Sequence, residues 1–168
     1  MRETITLEIA DTMSPSEVVA VVLKTAVTAF GGAGGMVAIA SDSGEWLEII
    51  GQLGFPETVV EPHRHLPFHP PTPATAAYRS RAPEFVETLA EFKDRYPELA
   101  RATTGITGTR ALLCIPLFLE ERAIGVFGVT YREDHLFSTE ERASAVAFAA
   151  RAAQAIGHGL KRQGPSTR

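Results

Sequence analysis

The chain has 168 residues, of which 45% are apolar and 21% are charged. This is the composition of one ordinary globular domain, and it excludes a disordered or collagen-like chain. The single cysteine excludes an internal disulfide, a zinc site of several thiolates and a two-cysteine redox pair. The net charge of −4, without a cluster of lysine or arginine, predicts no binding to nucleic acid or to anionic lipid.

No secretory leader and no membrane span are predicted. The N-terminal residues lack the basic stretch followed by an apolar run that a signal peptide needs. The longest uncharged stretch, residues 25–41, is interrupted by glycines and is too polar for a membrane-spanning helix. Because the cysteine content gives no sign of an oxidising compartment, we expect a cytoplasmic protein.

The first third of the chain predicts a helix followed by a β-hairpin. Ser14 and Glu17 form a capping box around Pro15, and apolar residues then recur at spacings of three and four until Gly31. Residues 36–41 and 45–52 are short apolar runs joined by a turn sequence, which is typical of two antiparallel strands. Residues 54–72 are rich in proline and histidine, so a long crossing loop is expected.

The middle of the chain predicts short elements. A helix capped by Thr72 is expected to run through Tyr78, a brief strand covers 83–86, and a second helix begins after Thr88 and is disrupted by Pro97. Residues 103–109 are interpreted as a flexible loop.

The last third predicts a second hairpin and a long helix. Residues 111–119 and 123–131 are apolar strands separated by three residues, and an alanine-rich helix follows from Ser138 to about Leu160. Two apolar stripes on that helix exceed what one core contact requires, which indicates a partner. The whole order predicts a mainly antiparallel sheet covered by helices, an α+β sandwich.

An ordered set of motifs resembles a GAF domain over residues 14–160. The motifs are FGGAGG at 30–35, GQLGFP at 51–56, TP at 72–73 with AY at 77–78, IPL at 115–117, IGVFGV at 124–129 and FS at 137–138. The set is similar to the subtype found in actinobacterial sensor kinases and PP2C-like phosphatases. The resemblance implies a three-layer α+β sandwich with a five- or six-stranded antiparallel sheet, its first and last helices on one face and a small-molecule pocket on the other.

The resemblance also implies a role in signal transduction. GAF modules usually sense a ligand and transmit its presence through the terminal helices to an output domain, here a possible kinase or phosphatase of a two-component system. We expect an N-terminal extension at 1–13, the domain at 14–160 and a disordered tail at 161–168, in a stand-alone sensor or a piece of a longer one. A homodimer is expected, with interface residues on the two terminal helices: Val22, Ala26, Phe148, Ala152 and Ala155.

The candidate ligand-binding residues lie between Gly54 and Tyr96, the irregular part expected to cover the free face of the sheet. They are Tyr78, Arg79, Arg81, Phe85 and Phe92. The aromatic rings would supply apolar contact, and an arginine could hold an anionic group through two hydrogen bonds.

Other chemistries find less support. The asparagine-lysine pair of cyclic-nucleotide-binding GAF domains is missing, and Cys114 lies in a predicted strand, where a buried structural thiol is expected rather than a bilin attachment site. One thiol cannot resolve the disulfide that GAF-type methionine sulfoxide reductases form. No nucleophile stands beside a base, so no catalytic residue and no enzymatic activity are predicted.

The hypotheses kept open are therefore three. The first is a non-enzymatic sensory module that binds a small molecule not identified by the sequence, with no metal. The second is a ligand-free dimerisation or protein-interaction module. The third is a haem- or metal-dependent redox sensor that uses His63, His65 or His69, because neutral imidazole is a good ligand.

Overall fold

A computed structural model describes residues 5–162 of the chain. The helices are α1 (Pro15–Phe30), α2 (Glu57–Val60), α3 (Pro73–Ser80), α4 (Leu89–Arg95), α5 (Pro97–Thr107) and α6 (Thr139–Arg162), and a 3-10 turn covers Glu61–His63. The strands are β1 (Gly34–Ala40), β2 (Trp46–Leu53), β3 (His65–Pro67), β4 (Glu84–Val86), β5 (Ala111–Leu119) and β6 (Arg122–Tyr131).

The six strands form one sheet in the order β3-β2-β1-β6-β5-β4, and every neighbouring pair is antiparallel. The predicted hairpins β1-β2 and β5-β6 are both present, and β1 joins them by pairing with β6. The α+β fold expected from the sequence is confirmed. Among the described residues, no helix has the length and apolar character required to cross a bilayer.

The ends of α1 follow the predicted signals. Ser14 Oγ accepts a hydrogen bond from Glu17 N at 3.2 Å, and Glu17 Oε1 accepts one from Ser14 N at 2.7 Å, so the capping box is complete. Gly31 ends the helix at φ +67°, a conformation that glycine adopts without strain.

Both terminal helices pack on one face of the sheet, as the resemblance implied. The Phe148 ring of α6 lies edge-on to Phe30 of α1 and to Phe127 of β6, with ring centroids 6.0 and 5.4 Å apart. Gly51 allows α1 to approach β2, because a Cβ there would stand 2.5 Å from Val19 Cγ1. We call this side the terminal-helix face; its core includes Val22, Ala26, Leu113, Ile115, Leu117, Phe127, Val129, Phe148, Ala152 and Ile156.

The opposite side of the sheet is covered by α2 to α5 and the 3-10 turn, and we call it the cavity face. Its buried residues form a second cluster that includes Ala38, Leu47, Ile49, Leu66, Ala74, Phe92, Leu112, Cys114 and Val126. Successive side chains of β5 lie on opposite sides of the sheet. Leu113 and Ile115 belong to the core of the terminal-helix face, whereas Leu112 and Cys114 belong to the cluster of the cavity face.

The prediction of a flexible loop at 103–109 is wrong for residues 103–107, which belong to α5. Pro97 does not merely end α4 but occupies the first position of α5, where its missing N–H is not needed. The helix continues through Thr107 and ends at Gly108, whose φ is +73°. Burial of Ala100 and Thr103 stabilises a segment whose threonines and glycine favour a loop in isolation.

The two apolar stripes predicted on α6 form one broad buried face. Ala145, Phe148, Ala149, Ala152 and Ile156 are all buried, whereas Val146 and Ala150 are exposed. The width that indicated a partner is therefore used mainly within the chain, against the sheet and α1.

Parts of both predicted terminal segments belong to the folded domain. In the expected extension at 1–13, Ile5, Leu7 and Ile9 pack against the core of the terminal-helix face. At the other end α6 extends through Arg162, and the rest of the predicted tail, 163–168, lies outside the described residues.

Candidate ligand-binding cavity

An apolar cavity of about 130 Å³ lies on the cavity face of the sheet. Its floor comes from the strands, with Met36, Ile49, Leu112, Cys114, Gly128 and Thr130 among the lining residues. Its walls come from α2, the 3-10 turn, α3, α4 and α5, through Val59, His63, Ala74, Phe92, Leu99, Thr103 and Thr107. The terminal helices do not line it.

The α5 hydroxyl groups in the wall already have partners. Thr103 Oγ1 donates to Leu99 O at 2.8 Å, and Thr107 Oγ1 donates to Thr103 O at 3.2 Å. Such bonds to the carbonyl four residues earlier let a threonine present its methyl group while its proton stays with the helix. The α5 wall is therefore less polar than its sequence indicates.

The described residues that line the cavity include no aspartate, glutamate, lysine or arginine. Burial of a charge without a partner is costly, so a charged ligand would lose more in desolvation than it could regain there. The lining therefore favours an uncharged molecule with a mostly apolar surface.

The three histidines of the predicted loop, His63, His65 and His69, lie in three different surroundings. His63 lines the cavity, and its Nδ1 donates to Val59 O at 2.9 Å. His65 is exposed on the edge strand β3, with Nε2 4.0 Å from Glu48 Oε2, and His69 is exposed in the following loop. Over residues 5–162, no three histidine, cysteine or acidic side chains are grouped closely enough to hold a metal ion.

Cys114 is buried in β5 and lines the cavity, which confirms the prediction of a buried strand thiol. Burial, with a smaller effect of the Glu84 carboxylate, raises the pKa of Cys114 to about 12. The thiol is therefore protonated near neutral pH and is a poor nucleophile.

Of the five side chains predicted to contact a ligand, Phe92 alone lines the cavity. Tyr78 stacks on Phe68 with centroids 6.1 Å apart, and the Arg79 guanidinium lies 5.0 Å from the same ring. Neither residue lines the cavity: Tyr78 is half-buried against the cluster of the cavity face, and Arg79 is exposed.

The other two predicted residues are also elsewhere. Arg81, with a φ of +60° just after α3, donates to Glu121 O at 2.8 Å. Phe85 packs toward the terminal-helix face, 5.0 Å from the Phe137 ring and 4.4 Å from the Arg142 guanidinium. The wall residues that the sequence analysis missed, Thr103 and Thr107, lie in the segment interpreted as a loop.

Four of the residues predicted for a dimer interface are buried inside this chain. Val22, Ala26, Phe148 and Ala152 belong to the core of the terminal-helix face and are not accessible to a second copy. Ala155 is half-buried and lines a groove between residues 6–11 and the end of α6. A surface between copies would instead use exposed positions of these helices.

A chain of polar contacts connects the cavity wall to the start of α6. Glu91, the neighbour of Phe92 on α4, accepts a hydrogen bond from Glu87 N at 2.8 Å. The Glu87 carboxylate in turn accepts from Phe137 N at 2.9 Å and from Arg142 Nη2 at 3.1 Å. The wall helix and the first turn of α6 are therefore joined through two acidic residues, Glu91 and Glu87.

Comparisons with known proteins agree with this architecture. The family model described as GAF domain matches residues 12–157. No match is found among curated proteins.

Solved structures share the fold at low identity. The GAF domain of a phosphoenolpyruvate-protein phosphotransferase from Coxiella burnetii is 19% identical, with a TM-score of 0.74, covering 92% of this chain and 89% of that chain. A domain of a putative two-component sensor histidine kinase from Sinorhizobium meliloti is 22% identical, with a TM-score of 0.68, covering 92% and 100%.

A third solved structure is an enzyme. The free methionine-R-sulfoxide reductase from Neisseria meningitidis, in complex with its substrate, is 15% identical, with a TM-score of 0.66, covering 88% of this chain and 82% of that chain. The fold thus occurs in regulatory and in catalytic proteins. Since the family model spans most of the chain and the sheet order and helix placement agree with the resemblance, the chain belongs to the GAF domain family.

Proposed function

We propose that this chain is a non-catalytic sensory module that binds a small, uncharged, mostly apolar molecule in the cavity. The observation that carries the proposal is the space of about 130 Å³ on one face of the sheet, whose described lining residues include no aspartate, glutamate, lysine or arginine. Apolar cavities of about 150 Å³ bind molecules such as benzene. A haem would require a cavity several times larger, which favours the small-molecule hypothesis over the haem sensor.

The chemistry of the cavity favours sensing over the reductase activity of the Neisseria meningitidis protein. Free methionine sulfoxide is an amino acid with two charged groups, and the lining holds none to pair with them. The one cysteine of the chain is protonated near neutral pH. A reaction that needs a thiolate and a second cysteine finds neither in this chain.

Ligand occupancy would be transmitted from the cavity to α6 through the contacts of Glu87. A molecule that displaces Phe92 would move α4. Glu87 N donates to the Glu91 carboxylate and Arg142 donates to the Glu87 carboxylate, so these bonds connect α4 to the first turn of α6. The pair of Glu87 with Arg142 is partly exposed, so it orients the helix more than it stabilises the domain.

The output would be the association of α6 with a second copy or with a kinase or phosphatase domain. The outer side of α6 exposes Ala143, Val146, Ala147 and Ala150, and the Val146 side chain is 47% exposed. These residues lie at helical spacing, so they form one apolar stripe away from the core. The cytoplasmic location expected from the sequence fits this role.

The test is a titration with benzene followed by proton–nitrogen correlation spectra. We expect saturable shifts first at the amides of α5 and Phe92, and then smaller shifts at the first turn of α6. In Glu87→Gln, which weakens the link, the cavity shifts should persist and the α6 shifts should diminish. If neither benzene nor phenol changes the spectrum at α5, ligand binding is rejected and the interaction module remains as the function.

A further inference from the structure

His63 is the one imidazole among the described residues that line the cavity. Its Nδ1 faces Val59 O at 2.9 Å, and a carbonyl oxygen can only accept, so Nδ1 carries the proton. In the neutral ring this leaves Nε2 without a proton, as a hydrogen-bond acceptor. The bond to α2 therefore fixes both the tautomer and the orientation of the ring.

Three neighbouring polar side chains of the lining are engaged in hydrogen bonds within the chain. The hydroxyl protons of Thr103 and Thr107 are used within α5, and Gln52 Oε1 accepts from Phe55 N at 3.0 Å. An imidazole nitrogen is also a better acceptor than a hydroxyl oxygen. The wall thus combines a large apolar surface with one strong acceptor.

We propose that His63 Nε2 accepts a hydrogen bond from the ligand and so selects small uncharged molecules with an apolar body and a single hydroxyl or amine donor. This inference rests on the proposed function, since it assigns the ligand class of the same cavity. Simple phenols and short alcohols have this chemistry and this size. A wholly apolar molecule could not donate to this acceptor, so it should bind less tightly than a molecule with a hydroxyl or amine group.

The test compares phenol with toluene, two molecules of similar shape that differ in the hydroxyl group. The measured quantity is the ratio of the two dissociation constants, toluene over phenol, from calorimetry on the full chain. In His63→Asn the shorter side chain can still donate to Val59 O, but it has no atom at the Nε2 position. We expect the ratio to fall about tenfold in this variant, the factor that one lost hydrogen bond implies.

Two control variants distinguish the acceptor. His65→Asn changes an exposed histidine outside the cavity and should leave the ratio at the wild-type value. Thr130→Val removes a hydroxyl from the floor of the cavity and tests that group as the alternative acceptor; the ratio should fall less in this variant than in His63→Asn. In long-range proton–nitrogen spectra, the Nε2 signal of His63 should shift with phenol and stay in place with toluene.

The outcomes separate this inference from the function on which it rests. If both molecules bind and the ratio is the same in wild type and His63→Asn, the cavity is a ligand site but His63 does not select the ligand. A ratio that falls in Thr130→Val instead would assign the acceptor to Thr130 and overturn the inference. If neither molecule binds the wild type, the proposed function fails and the inference fails with it.

Discussion

The two faces of the sheet are filled in different ways. The terminal-helix face is covered by α1, of 16 residues, and α6, of 24 residues, whose small and aromatic side chains interdigitate over the strands. The cavity face is covered by four helices of 4 to 11 residues and a 3-10 turn, and it retains the space of about 130 Å³. Long helices can keep one apolar face on the sheet over several turns, whereas short helices meet at angles and leave a void between them.

The difference extends to the chemistry of the side chains. On the terminal-helix face, the Phe148 ring contacts the rings of both Phe30 and Phe127. The buried Tyr131 hydroxyl is paired there, since it donates to Phe30 O at 2.8 Å. The cavity face carries threonines, one histidine and one cysteine around its void. We infer that the first face supplies stability and the second supplies room for a ligand, at a cost in dispersion contacts.

The comparison predicts different costs for the same truncation on the two faces. Phe148 and Phe92 are 2% and 1% exposed, but only Phe92 borders a void. We expect Phe148→Ala to lower the free energy of unfolding by about 5 kcal/mol and Phe92→Ala by about 3 kcal/mol, the two ends of the usual range. The measurement is urea unfolding followed by circular dichroism, and equal losses would mean that the cavity face is packed as tightly as the other.

Enlargement of a buried side chain should also cost more on the terminal-helix face than on the cavity face. Ala152 and Ala74 are both buried, the first on the terminal-helix face and the second in the cavity wall. Ala152→Leu should destabilise the domain by about 1 to 3 kcal/mol, because a packed core has no room for three more carbons. Ala74→Leu should cost less than 1 kcal/mol and should abolish benzene binding. A larger cost for Ala74→Leu than for Ala152→Leu would contradict the assignment of the void.

The pH dependence of stability tests whether the cavity face is dry at Cys114. Burial raises the pKa of the folded-state thiol to about 12, so the folded chain holds a proton that the unfolded chain releases above about pH 9. The contribution of Cys114 to stability is therefore fully present below about pH 9. The free energy of unfolding falls as pH rises from about 9 to about 12, by up to about 1.4 kcal/mol for each pH unit.

The matched variant for this dependence is Cys114→Val, which keeps the size of the side chain and removes the thiol. Burial also raises the pKa of Tyr96 and of Tyr131, but these groups titrate in both proteins. The difference between wild type and variant, measured by urea unfolding between about pH 8 and 11, isolates Cys114. Equal slopes would show that water reaches the thiol.

The sequence predicted the elements whose signals are local. The capping boxes at Ser14 and Thr72 placed the starts of α1 and α3, and the apolar runs placed the four longer strands, because these patterns depend on neighbours within a few residues. The family resemblance added the side of the sheet on which the terminal helices lie. The site could be predicted only as a region, between the long loop and α4, and Phe92 is the one predicted side chain that lines the cavity.

The remaining residues depend on contacts that sequence spacing does not show. The α5 segment contains Thr103, Thr104 and Thr107 and reads as a loop, but the helix is stabilised by burial and by hydroxyl bonds to its own carbonyls. Phe85 is aromatic and lies in the expected region, yet the register of β4 on β5 turns it toward Phe137. Such outcomes are set by strand register and packing, which compete with local propensity.

The outer side of the terminal-helix face gives the smallest expected effect on stability and the sharpest one on association. Val146 is 47% exposed, so Val146→Glu should change the free energy of unfolding by less than about 0.5 kcal/mol. If copies associate through the apolar stripe of α6, a glutamate there leaves a charge buried in the contact, and light scattering at tens of micromolar should report a lower mass. Leu136→Glu, at a position 78% exposed just before α6, is the control and should keep the wild-type mass. A wild-type chain that is already monomeric would show that α6 does not associate with a second copy, and would make the terminal-helix face a purely internal support for the cavity on the other side.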